Sequence, residues 1–125
     1  MKFRYDTSGR WYKGNTHIHS TASDGGRTAD ELAAMYASAG YHFLFRTDHW
    51  TASDTAAEPG NDPLLWLDGI ELDGADHTGA YFHVVALGRV KGLCREDGLE
   101  AVLRRAQQQG ALLILAHPHW CANSF

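Results

Sequence analysis

Only two cysteines occur in the 125 residues, Cys94 and Cys121, far apart and with no Cys-x-x-Cys between them. Two isolated cysteines are expected as reduced thiols, the state of a cytosolic protein. No apolar run is long enough to span a bilayer. The opening residues, Met1 to Asp6, lack the apolar stretch of a signal peptide, so neither a membrane nor an export route is expected. Basic residues are outnumbered, 11 Lys and Arg against 15 Asp and Glu. Without a basic patch a dedicated nucleic-acid binder is not expected. No Gly-x-Ser-x-Gly elbow or Ser-His-Asp order is present, and no phosphate-cradling P-loop.

Histidine is what the chain has in excess, eight residues, which points to metal or acid–base work. Three short segments concentrate it. The first is Asn15-Thr16-His17-Ile18-His19-Ser20-Thr21-Ala22-Ser23-Asp24-Gly25, the second Thr47-Asp48-His49, the third Ala116-His117-Pro118-His119. Alternate residues of a strand share a face, so His17 and His19 point one way and Ile18 the other. Two imidazoles followed within one loop by a carboxylate are side chains that zinc, manganese and iron accept.

The rest of the chain reads as alternating strands and helices in one domain at most. Residues 1–14 show no helical period, and Trp11 and Tyr12 are expected to pack under a first strand at 15–19. Thr28 with Glu31 forms a capping-box pattern. Leu32, Met35, Tyr36 and Ala39 supply an apolar stripe, and Gly40 a left-handed cap. Phe43-Leu44-Phe45 reads as a buried strand running into Thr47-Asp48-His49, and residues 50–63 as a loop over the active face. A strand region follows from Leu64 through Leu72, then turn material from Asp73 to Gly79, then a strand from Tyr81 to Leu87. The last helix is expected to begin at Asp97 as N-cap, with Leu99, Val102, Leu103 and Ala106 as its stripe and Gly110 closing it. Ala111 to Ala116 reads as a final buried strand. Continuous apolar strands joined by helices predict a parallel α/β core, in which ligands gather beyond the strand carboxyl ends. His17, His19, His49, Glu71 and His117 all fall at or just after predicted strand ends.

Each candidate has a plainer reading beside it. Asp24, in Ser-Asp-Gly-Gly, is a turn residue or, with the His pair upstream, a ligand. Asp48 is a capping carboxylate or the orienting partner of a metal-bound His49. Glu71 is a strand-end residue facing water, as Asp68 and Asp73 are expected to be, or a buried carboxylate that needs a metal partner. His83, alone between Tyr81-Phe82 and Val84-Val85, reads by itself as a hydrogen-bonded core residue. His117 is fixed by Pro118 just beyond its strand. His119 shares its parity and is a ligand, a pocket residue or a surface residue. His42 and His77 read as solvated.

With these residues in view, the chain resembles the PHP superfamily, the polymerase-and-histidinol-phosphatase domain, from about Gly14 to His119. Gly14 to Thr21 followed by Ser23-Asp24-Gly25 is similar to its first motif and Thr47-Asp48-His49 to its second. Gly69-Ile70-Glu71 resembles the segment of the bridging glutamate, and Phe82-His83-Val84 and Ala116-His117-Pro118 resemble later histidine segments. Trp11 to Gly14, with His117 to Trp120, looks most like a carbaryl-hydrolase-like branch. The resemblance implies the N-terminal part of a distorted (β/α)7 barrel, with residues 1–125 as a partial domain. It implies two or three divalent ions, zinc, manganese or iron, held by His17, His19, Asp24, His49, Glu71, His83 and His117. Catalytic roles are expected for Glu71 and Asp48. In this reading Glu71 bridges two ions, with His17 and His19 on one and His83 and His117 on the other, while Asp24 and His49 hold a third or share the second. The family's late Asp-x-His does not occur before Phe125, and a full barrel takes about 250 residues, so a fragment is expected.

The function expected on this reading is metal-dependent hydrolysis of a small phosphate mono- or diester by a metal-activated water. The alternatives are a carboxylic or carbamate ester hydrolase using the same site, and an inactive metal-binding fragment.

Overall fold

A computed structural model of the protein describes residues 8–57 and 64–121. Five strands form one mixed sheet in the order β1 (Gly14–Asn15), β2 (Phe43–Arg46), β3 (Leu65–Ala75), β4 (Tyr81–Leu87), β5 (Leu112–Leu115). β1, β2 and β3 run parallel, as predicted. β3 and β4 form an antiparallel hairpin and β5 is antiparallel to β4, so the wholly parallel core is not observed. The cause lies in the β3–β4 connection, a tight turn at 76–80 with no helix to carry the chain back. Asp76 organises it by accepting from Thr78 and Ala80 N–H.

The two helices lie where their patterns put them, with shifted details. α1 (Ala29–Ser38) starts at Thr28, whose hydroxyl accepts from Glu31 N–H while the Glu31 carboxylate accepts from Thr28 N–H. Its packed stripe is Ala29, Leu32, Ala33, Tyr36 and Ala37. Met35 is exposed and Ala39 lies beyond the last turn. α2 (Leu99–Gln108) buries Leu99, Val102 and Ala106 as predicted. Its N-cap is Gly98 rather than Asp97, which ends a separate 3-10 turn (Arg95–Asp97) and pairs with Arg105. Trp11 and Tyr12 are exposed rather than packed under β1; Tyr12 meets the edge of the His42 ring instead. Residues 58–63 of the predicted loop lie outside the described residues, and residues 50–57 include a 3-10 turn.

β3 shows how the sheet divides its faces. Trp66, Ile70 and Leu72 point to the helices: Trp66 joins Leu44, Leu32 and Ala33 beside α1, and Ile70 and Leu72 join Ala86, Val102 and Ala106 beside α2. Gly69, Glu71 and Asp73 point to the opposite face. There Val85, Leu87 and Ala116, with Phe45 against them, form a small apolar layer. Four strand spacings of about 4.8 Å would put β1 and β5 about 19 Å apart in a flat sheet. The rings of His17, just after β1, and His117, just after β5, have centroids 5.6 Å apart. The sheet therefore curls around this face, like part of a barrel wall.

β5 is not the buried strand expected. Leu112, Ile114 and Leu115 are exposed, because among the described residues nothing pairs or packs beyond this edge. Leu44 is fully buried under α1, whereas Met35 is exposed on the same helix. Leu44→Ala should lower stability by about 2–5 kcal/mol and Met35→Ala by less than about 0.5 kcal/mol, as read from urea midpoints.

Candidate metal centre

Glu71 is fully buried on the concave face, and five imidazoles surround its carboxylate. Around Oε2 lie His19 Nε2 at 2.9 Å, His49 Nε2 at 3.4 Å and His17 Nε2 at 3.5 Å. Around Oε1 lie His83 Nδ1 at 2.9 Å and His117 Nε2 at 3.3 Å. These groups come from the segments after β1, β2 and β5 and from β3 and β4 themselves. Glu71 is not at a strand end: β3 continues four residues past it, paired with β4. The shorter parallel ladder stops at Arg46↔Asp68, and a single bridge, His49↔Glu71, carries the next segment up beside the carboxylate.

The His17–His19 segment is less regular than the predicted strand at 15–19. Ladder pairing ends at Asn15, and Thr47 takes over. Its backbone N–H and its hydroxyl both donate to Ile18 O, and its hydroxyl oxygen accepts from Ile18 N–H at 2.9 Å. Ile18 is thereby held in the core with its two neighbours on the other side, as the alternation required. Gly25 closes the loop by folding onto this segment; a Cβ there would lie 2.3 Å from His19 O.

Asp48 is buried, but it does not orient His49. Its oxygens accept from Ser20 N–H at 2.7 Å, Ser20 Oγ at 2.8 Å and Ser23 Oγ at 2.8 Å. It anchors the loop that follows the His pair. The residue beside His49 is Asp73, expected to face water and in fact buried. Asp73 Oδ1 lies 3.2 Å from His49 Nδ1 and accepts from Trp50 Nε1 at 2.7 Å. Its Oδ2 accepts from Tyr81 and Arg95. The available signal was parity: Asp73 is two residues beyond Glu71 on the same strand, so it shares the concave face. Thr47, Trp50, Tyr81 and Arg95 were likewise missed.

Among the described residues, two three-residue groups have ligand atoms close enough to hold an ion: His17, Glu71 and His117, and His19, His49 and Glu71. Glu71 belongs to both, as a bridging carboxylate would. The partners differ from the expected pairing, since His17 goes with His117 and His19 with His49. His83 touches Glu71 Oε1 but joins neither group. Asp24 is exposed, with Oδ1 3.3 Å from His19 Nδ1 and Oδ2 3.9 Å from His49 Nε2. His119 is exposed and is in neither group. Exposed His42 accepts from Lys13 N–H, and exposed His77 meets Glu100.

The donor set fits a divalent cation. Glu71 Oε2 is buried and meets no donor in hydrogen-bonding geometry, although His19 Nε2 lies 2.9 Å away. A buried carboxylate oxygen in that state is costly unless a cation meets it. Burial pushes the Glu71 carboxyl up, but the close His19, His17, His83 and His49 rings outweigh it and bring it to about 2. Glu71 is thus anionic at neutral pH. Burial, against the pull of Glu71, lowers His17 below its ordinary 6.5, which keeps it neutral with a lone pair to give. Contact with Glu71 raises His19 in spite of burial. Imidazole and carboxylate donors without thiolate suit zinc, manganese or iron. An open cleft of about 680 Å³ adjoins the cluster, walled by His49, Trp50, Asp73, His83 and Arg95 among others.

Because the Glu71 carboxyl is depressed by folding, its contribution to stability is complete above about pH 4.5 and is lost as pH falls toward about 2. Metal-free wild type should therefore lose more of its urea midpoint than Glu71→Gln between about pH 5 and about pH 3. Equal losses would show that the carboxylate is not held by the histidines.

No protein-family model matches the chain, and no curated protein matches it in sequence. Among solved structures, it is similar to an amidohydrolase from Chromobacterium violaceum determined with bound sulfate and no metal. The identity is 22% and the TM-score 0.48, and the match covers 78% of this chain and 32% of that one. The chain thus spans about a third of the length of that structure.

Proposed function

We propose that this chain carries the dinuclear centre of a metal-dependent hydrolase of the PHP type, acting on small phosphate esters. The observation that supports this most is the buried Glu71 carboxylate, shared by two imidazole groups on one concave face. On this reading residues 1–125 are the N-terminal part of the (β/α)7 barrel. His17, His117 and Glu71 would hold one ion, and His19, His49 and Glu71 the other. His83 steadies the bridging carboxylate through Oε1, and Asp24 stands at the rim beside His19 and His49. Ions so held supply a water activated near neutral pH and neutralise charge on a phosphoryl oxygen.

The chain's own residues do the rest. Glu71 stays deprotonated at neutral pH and would be the carboxylate that both ions share. Asp48 keeps the Ser20–Ser23 loop in place, which fixes His19 and carries Asp24. The adjoining cleft leaves room for a small-molecule substrate beside the cluster. Among the described residues no helix is long and apolar enough to cross a membrane, and cytoplasmic action on a soluble ester is part of the proposal. A carboxylic or carbamate ester is the second reading. The Trp11-Tyr12-Lys13-Gly14 lead-in and the indole of Trp50 in the cleft wall favour it.

With zinc or manganese supplied, aryl phosphates should be hydrolysed faster than aryl carboxylic esters and carbamates, and His17→Ala should reduce the rate to background. Faster cleavage of the carboxylic esters or carbamates would favour the second reading. Bound metal with no turnover of any of them would mark an inactive metal-binding domain.

A further inference from the structure

The two groups that share Glu71 are not equivalent. What differs is the partner on the far nitrogen of His17, His49 and His19. His17 Nδ1 lies 3.0 Å from Thr47 Oγ1. That hydroxyl gives its proton to Ile18 O, so it can only accept from His17. His17 therefore presents Nε2 to Glu71 with a neutral oxygen behind it. His49 also presents Nε2 to Glu71, but its Nδ1 faces the buried Asp73 carboxylate at 3.2 Å. The same Asp73 oxygen accepts from the Trp50 indole, which can only donate, so Oδ1 is an acceptor and His49 Nδ1 carries the proton. His19, in the same group, has a second carboxylate, Asp24, behind its Nδ1 at 3.3 Å.

A carboxylate behind a metal-binding imidazole fixes its tautomer and strengthens it as a donor, an effect of about 10–100-fold in metal affinity. We infer that Asp73 is the positioning residue of His49 and makes the His19–His49–Glu71 group the tighter of the two sites, filled first. The inference rests on the metal-binding part of the proposed function and not on hydrolysis. The surroundings are built to hold Asp73 in this role. Tyr81 and Arg95 occupy its other oxygen, and Arg95 lies over the Trp50 ring with its guanidinium carbon 5.3 Å from the ring centroid. Trp50 itself sits at φ +52°, a left-handed conformation rare for a bulky residue, and is held there by Trp50 N–H donating to Glu71 O.

Calorimetric titration of zinc into the chelator-stripped chain tests this. Wild type should show a tight and a weaker class of site. Asp73→Asn should weaken the tight class about 10–100-fold and leave the weaker one in place. Glu100→Gln, at the exposed His77–Glu100 pair, should leave both classes as they are. Nitrogen-15 NMR of the metal-free protein above neutral pH should show His49 protonated at Nδ1 in wild type, and less so in Asp73→Asn. Equal weakening of both classes, an unchanged tight class, or His49 protonated at Nε2 in wild type would overturn the inference. Ordered zinc binding without ester hydrolysis would overturn the hydrolase reading and leave this inference standing. Failure to bind zinc at all would overturn both.

Discussion

A carboxylate taken wholly out of water has to be met by charge or by donors, and Glu71 is the place where this chain meets that demand. Its position on β3 decides the rest of the concave face. Odd-numbered residues of the strand lie beside it and even-numbered ones go to the helices, so Ile70 and Leu72 build the core with α2 while Glu71 and Asp73 face inward. Imidazoles from four separate stretches can surround one carboxylate only if the sheet curls. The short distance between His17 and His117 reports that curl. The fold and the candidate metal centre are in this sense one arrangement.

Around that centre, the polar groups that touch no ligand atom of Glu71 are mostly concerned with holding others still. Thr47 ties down Ile18 and so sets the two histidines beside it. Asp48 ties down the loop behind them. Gly69 leaves space for Thr47, whose Cγ2 would lie 2.8 Å from a Cβ at that position. A cluster of neutral or partly charged imidazoles has little attraction of its own. Rigid hydrogen bonds to the backbone are what let them converge before any cation is present.

Much of this was legible in the residues. The His-x-His spacing gives a shared face without further information, and Ile18 between them is buried as that alternation demands. The capping box at Thr28 and the stripe of α2 are local patterns, and they appear as read. What was not legible depends on contacts distant in sequence. The antiparallel β3–β4 hairpin follows from a turn that could equally have ended a strand three residues earlier. That ambiguity made Asp73 look like turn material facing water. Asp48 was read as the partner of its sequence neighbour His49, but in a strand-like segment adjacent side chains point apart. Its carboxylate goes instead to the Ser20 loop, 28 residues away. The grouping of the histidines around Glu71 could not be deduced from order along the chain, because it depends on how far the sheet curls.

The central claim is that the cluster around Glu71 is a dinuclear metal centre. Crystals grown with zinc, and their anomalous difference map, test it directly. The account predicts two peaks flanking the Glu71 carboxylate. One should lie about 2.0–2.2 Å from His17 and His117 nitrogens and the other at similar distances from His19 and His49. A map with no peak at Glu71, its carboxylate held only by imidazole N–H groups, would contradict it.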